Sequence, residues 1–164
     1  MRYQFVDRMI EMAPGKTAKA LKNITASEDV FNDHFPHFPI YPGALLIETM
    51  AQVAGLLVEK TAAERDNRRV LPVLSIVKNA KFREVTLPGD TLIIDAVIDN
   101  CTSDAAMVHA TVSCDGRERA ASDLFFTLLD VKDLLDADEF RSIDAVKKTI
   151  DRVSAYHARR RKAP

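Results

Sequence analysis

Hydrophobic residues fall on alternate positions through much of the second half of the chain. Leu92, Ile94, Ala96 and Ile98 interleave with Ile93, Asp95, Val97 and Asp99, and Ala106, Val108, Ala110, Val112 and Cys114 interleave with Met107, His109, Thr111 and Ser113. A period of two sends alternate side chains to opposite faces of a strand, so these runs predict β-strands. Asp115-Gly116 is a hairpin dipeptide that joins the second run to a third, Arg117 to Leu129, with Ala120, Ser122, Leu124, Phe126 and Leu128 on one face. Val70 to Phe82 is rich in Val, Leu and Ile and reads as a further strand, and Leu87-Pro88-Gly89-Asp90 as a turn. Residues 17–24, which follow Pro14-Gly15, are the expected first strand.

The period changes between Gly43 and about Glu64. Ala44, Leu45, Leu46, Ile47, Met50, Ala51, Val53, Ala54, Leu56, Leu57 and Val58 surround a helix on nearly every side, interrupted only by Glu48, Thr49 and Gln52 before Glu59 and Lys60. Such a helix is expected to be buried all round. Pro42 suits its entrance, because a first-turn N–H has no intrahelical partner to lose. Upstream, Pro36 and Pro39 join Pro42 in forbidding regular structure and stiffening the loop. Residues 27–33 suit one helical turn after Ser27. Antiparallel strands and one greasy helix give an α+β fold in which the helix covers the sheet.

Past Val131 the pattern changes again. Ile143, Val146, Ile150 and Val153 recur at helical spacing, with Ser142 or Asp144 as a start, and Arg159-Arg160-Arg161-Lys162 form a solvated basic tail. We therefore divide the chain into a domain at 1–130 and a C-terminal helical extension with its tail at 131–164.

Composition narrows the function classes. The 164 residues carry a formal net charge of -1, so no broad electropositive field invites nucleic acid. No stretch is apolar for long enough to span a membrane, and Met1 to Arg8 lacks the apolar core of a secretory signal, so a cytoplasmic protein is expected. Cys101 and Cys114 form no CxxC and read as reduced thiols.

The candidate chemistry lies in His34-Phe35-Pro36-His37-Phe38-Pro39-Ile40-Tyr41-Pro42-Gly43. His34 stands fourteen residues before Glu48, the carboxyl embedded in the apolar helix. Imidazole titrates near neutral pH and a carboxyl shielded from water tends to keep its proton, so the pair suits proton transfer. The bland alternative for Glu48 is a surface position or a structural ion pair. His34 with His37 makes a poor metal site, two ligands on one loop. His109, on the polar face of a strand, and His157, in the tail, need no functional reading.

His34 through Gln52 resembles the active-site segment of the 3-hydroxyacyl-acyl carrier protein dehydratases of fatty-acid synthesis, FabZ type, approximately H-F-P-x-x-P-x-x-P-G-x-L-x-x-E-x-x-A-Q. Phe5-Val6-Asp7-Arg8, Pro14-Gly15-Lys16, Lys22-Asn23-Ile24-Thr25, Lys81-Phe82-Arg83-Glu84-Val85 and Pro88-Gly89-Asp90 extend the likeness over about residues 5–129. The resemblance implies a hotdog fold, a curved antiparallel sheet around a central helix, in homodimers or trimers of dimers with active sites at the subunit interface. It makes His34 the base, Glu48 of the other chain the acid, and the Gly43 N–H the donor that polarises the thioester carbonyl. The Ile40 carbonyl would hold the imidazole and Gln52 would orient Glu48. Phe38, Ile40, Tyr41, Pro42 and Gln52 would contact the substrate, with His37 and Ala44 helping to shape an acyl tunnel. Arg83 would meet an acidic acyl carrier protein at its phosphopantetheine phosphate. No metal or dissociable cofactor is implied.

Asp33 stands where the family usually has Gly, and is expected to tolerate an unusual backbone angle there. Two other readings share the fold: a hotdog acyl thioesterase, which would need a carboxylate to activate water, and a non-catalytic acyl-carrier-binding subunit. A dehydratase-isomerase of FabA type is a variant of the first reading, although that group usually has Asp where Glu48 stands.

Overall fold

A computed structural model describes residues 3–131. The expected C-terminal helix and basic tail lie outside the described residues. Six strands form one antiparallel sheet: β1 (Arg8–Ala13), β2 (Thr17–Asn23), β3 (Val70–Phe82), β4 (Thr91–Cys101), β5 (Ala105–Cys114) and β6 (Arg117–Asp130), in the order β1-β2-β4-β5-β6-β3. Among the described residues a 3-10 turn (Asp29–Asn32) and one long helix, α1 (Gly43–Asp66), accompany it.

The sheet follows the alternation closely. On β4 Leu92, Ile94 and Ala96, and on β5 Ala106, Val108, Ala110 and Val112, are buried and meet in register, with Ile94 opposite Val112 and Ala96 opposite Ala110. Asp115 and Gly116 both take positive φ, 51° and 75°, the pair of angles that a two-residue hairpin of right-handed twist requires. In the Leu87–Asp90 turn Gly89 has φ 99° and the Asp90 N–H donates to the Leu87 carbonyl, as expected with Pro88 one place earlier.

Two expectations change. Residues 17–24 supply the second strand; the first is Arg8–Ala13, where a bulge between Met9 and Glu11 breaks the alternation that would have revealed it. Nor is α1 buried on every side within one chain. Leu46, Met50, Val53, Ala54, Leu57 and Val58 press on the sheet, while Ala44 is exposed and Leu45, Ile47, Gly55 and Leu56 are half-buried. One sheet covers one side of a cylinder, so a helix greasy all round keeps an apolar face in reserve.

Strand β3 forms one edge of the sheet and carries Val73, Ile76, Val77 and Phe82 at 38–50 % exposure. No helix among the described residues is long and apolar enough to cross a membrane.

Candidate active site

The loop before α1 is folded by its own prolines and amides. Phe35 and Phe38 exchange two backbone hydrogen bonds around Pro36 and His37, and His37 takes φ 73°. Proline followed by a positive φ is a type II turn, and it puts the unusual backbone angle at His37. Asp33 has an ordinary φ of -120°, so the position where Gly is usual makes no special demand on the backbone here. The Ile40 N–H donates to the His34 carbonyl, and the His34 Nδ1 lies 2.8 Å from the Ile40 carbonyl oxygen. A carbonyl only accepts, so Nδ1 carries the proton in this bond and Nε2 of a neutral ring is left with its lone pair. The Phe35 ring stacks on the imidazole, centroids 4.1 Å apart, and both Phe35 and Phe38 are largely exposed.

Pro42 is the N-cap of α1, with extended backbone angles, and its carbonyl accepts from the Leu45 and Leu46 N–H groups. Gly43 opens the helix, where first-turn N–H groups have no intrahelical partner and the helix dipole is positive. Glu48 follows at the second turn, half-buried, and the Gln52 Nε2 donates to its Oε1 at 2.9 Å. The two side chains are one turn apart and share a face.

Glu48 and Gln52 line a cavity of about 390 Å³, whose far wall is Leu71, Pro72 and Leu74 of β3 with Phe126 of β6. His34 is not among its lining residues, so the chain brings Glu48 to the cavity and holds His34 elsewhere.

Other expected site residues are placed differently. Tyr41 is 2 % exposed and sits in the core, its ring 6.2 Å from Phe31 with the Lys22 ammonium 5.6 Å from its centroid. It shapes the loop from within and does not line the cavity at Glu48. Burial first, then the charge of Glu28, raises its phenol well above the ordinary value. Arg83 is exposed and paired with Glu118, which stands on β6. Sequence reading missed Tyr3, which lines the cavity beside Glu48; no local pattern marks it, because only folding brings the two together. Among the described residues no three of His, Cys, Asp and Glu are grouped to hold a metal ion.

A curved antiparallel sheet wrapped on one helix, with a carboxyl and an amide facing a cavity from that helix, defines a hotdog-fold protein. The solved structures agree: the Dehydratase Heterocomplex ApeI:P from Xenorhabdus doucetiae matches at a TM-score of 0.67 and 16% identity over 80% of this chain and 87% of that one. A hypothetical thioesterase protein with coenzyme A from Streptococcus pneumoniae matches at 0.60 and 11%, over 75% and 85%. At such identities these likenesses establish the fold alone.

Sequence goes further. A FabA-like domain model matches residues 1–121. The chain is 40% identical over 130 residues to 3-hydroxyacyl-[acyl-carrier-protein] dehydratase FabZ of Rickettsia bellii, covering 78% of this chain and 88% of that protein. It is 41% identical over 123 residues to FabZ of Rickettsia africae, covering 74% and 83%. The chain belongs to the FabA-like family and is of the FabZ type.

Proposed function

We propose that the protein removes water from (3R)-3-hydroxyacyl groups carried on acyl carrier protein, giving trans-2-enoyl thioesters for acyl-chain synthesis. His34 Nε2 takes a proton from C2. The electrons close the C2–C3 double bond as the C3–O bond breaks, and Glu48 gives its proton to the departing hydroxyl, which leaves as water. The proton on His34 returns to Glu48 between turnovers. As C2 loses its proton, negative charge builds on the thioester oxygen, where the Gly43 N–H and the helix dipole stabilise it. The chemistry is redox-neutral, and we assign it to protein groups and the carrier's phosphopantetheine alone.

The observation that carries this reading is the division of the two groups. Glu48 stands on a cavity that Leu71, Pro72 and Leu74 of the edge strand β3 help to wall, while the fixed imidazole of His34 lies outside its lining. We infer that two copies pair along β3, whose apolar residues Val73, Ile76 and Val77 are exposed in the single chain, so that His34 of one copy meets Glu48 of the other. An acidic carrier would approach Lys81 and Arg83, at the end of that strand. The two free thiols fit a reducing compartment, and we place the enzyme in the cytoplasm.

The test is a mixed-subunit experiment. His34→Ala and Glu48→Gln should each be inactive as homodimers. Mixed and allowed to exchange subunits, half of the dimers are mixed and each has one intact site, so about a quarter of wild-type turnover returns. If the pair acted within one chain, no mixed dimer would contain an intact site and mixing would restore nothing. Release of free thiol without an enone product would point to hydrolysis instead.

A further inference from the structure

We infer that the segment ahead of β1 belongs to the catalytic apparatus: Tyr3 is a positioning residue for the Glu48 carboxyl, and the backbone of Phe5 sets the direction of Gln52. This deepens the reading of Glu48 as the acid and rests on it.

The argument begins at Gln52. A side-chain amide offers an acceptor at one end and donors at the other. The Phe5 N–H can only donate, and it lies 2.9 Å from Gln52 Oε1. That contact assigns the oxygen to Phe5 and leaves Nε2 for Glu48, where it is found at 2.9 Å. Turning the amide over would set its NH2 against the Phe5 N–H, donor against donor, so a backbone group 47 residues away decides that Glu48 faces a donor.

Phe5 is itself well anchored. Its side chain is 3 % exposed, and two residues on the Asp7 N–H donates to the Leu21 carbonyl while its carboxylate accepts from the Asn23 N–H. Tyr3 packs edge-on against Phe5, ring centroids 5.0 Å apart at 78°, and lines the same cavity as Glu48 and Gln52. Tyr3 is 64 % exposed, and its phenol is raised above the ordinary value, first by the charge of Glu48 across the cavity.

The two contacts differ chemically. An amide N–H only donates. A hydroxyl donates or accepts by rotating, so a Tyr3 hydroxyl turned into the shared cavity can serve Glu48 both before and after it has given up its proton. A carboxyl that must release and regain a proton at a fixed place needs such a contact.

The experiment uses the full-length protein and the conservative variant Tyr3→Phe, which keeps the ring on Phe5 and removes only the hydroxyl. The expected result is an unchanged melting temperature, a KM within about twofold, and a kcat lowered about five- to tenfold. In protein labelled with 13C at tyrosine Cζ, the resonance lost in Tyr3→Phe should titrate above an ordinary tyrosine, and Glu48→Gln should lower its pKa. An unchanged kcat in Tyr3→Phe, or a Tyr3 titration that Glu48→Gln does not move, overturns the inference while the acid role of Glu48 stands. Full turnover by Glu48→Gln would instead overturn that role, and the inference with it.

Discussion

The ring of Phe82, at the end of β3, lies directly against Gly43: a Cβ built on Gly43 would stand 2.9 Å from the Phe82 Cε1. A side chain at the helix entrance would therefore press on a neighbour, besides any need for a ligand to approach. Phe82 is 50 % exposed and has room to swing aside. Gly43→Ala is expected to fold with a stability loss of no more than about 1 kcal/mol, since the contact is with the tip of a movable side chain. Turnover should fall at least tenfold, because the new methyl stands over the N–H assigned to the thioester oxygen. Urea denaturation and steady-state rates on a 3-hydroxyacyl thioester check the two halves separately; loss of both together would mean that Gly43 is structural.

Gln52→Glu keeps an acceptor for the Phe5 N–H but replaces the donor to Glu48 with a second carboxyl. Two carboxyls at hydrogen-bond distance cannot both ionise, so the pair shares a proton and Glu48 loses its fixed orientation. We expect kcat to drop about 10- to 100-fold, the range for removing a group that orients a reacting side chain. A variant with wild-type kcat would show that Gln52 merely fills space.

Lys22 is the exception on the inward face of β2. Ala18 and Ala20 precede it there, and Lys22 itself is 5 % exposed, with its ammonium 3.1 Å from Glu28 Oε1. Breaking such a pair strands the remaining charge, so Lys22→Met should cost about 3 kcal/mol. Lys22→Met with Glu28→Leu should recover much of that, because no uncompensated charge is left. Chemical denaturation of the two variants decides it; equal losses would mean that packing, and not the pair, is what matters.

Asp123 accepts from Asn79 Nδ2 at 2.6 Å and lies 2.7 Å from His109 Nδ1. The hydrogen bonds from His109 and then Asn79 hold its carboxyl below the ordinary value of 3.8. A carboxyl depressed in the folded state stabilises the fold above its unfolded pKa, and that contribution is lost as pH falls below about 4 through the folded value. Wild type should therefore exceed Asp123→Asn by about 1 kcal/mol at pH 7, with the gap closing toward pH 3. Urea midpoints of the two proteins across that range provide the check; a gap independent of pH would exclude this source.

Local pattern carried far in this chain because the relevant contacts are close in sequence. The strands from Val70 onward, the Asp115-Gly116 hairpin and the long helix were legible, since burial on one face imposes a period of two or 3.6 on neighbouring residues. The Glu48 to Gln52 contact spans one helical turn and the His34 to Ile40 contact six residues of a proline-stiffened loop, so both were within reach of spacing and resemblance. β1 was hidden by its bulge, and the positive φ fell on His37 although Asp33 was the residue out of pattern.

Residue order alone thus determined the elements other than β1 and the identity of the proton-transfer candidates. Only the tertiary structure decided that Tyr41 turns into the core, that Arg83 pairs with Glu118, that Glu48 and Tyr3 line one cavity with residues of β3, and that the Phe5 N–H meets Gln52. These contacts join residues tens of positions apart. Periodicity says which face of an element is buried but not which other element meets it, and that choice is made when sheet and helix dock.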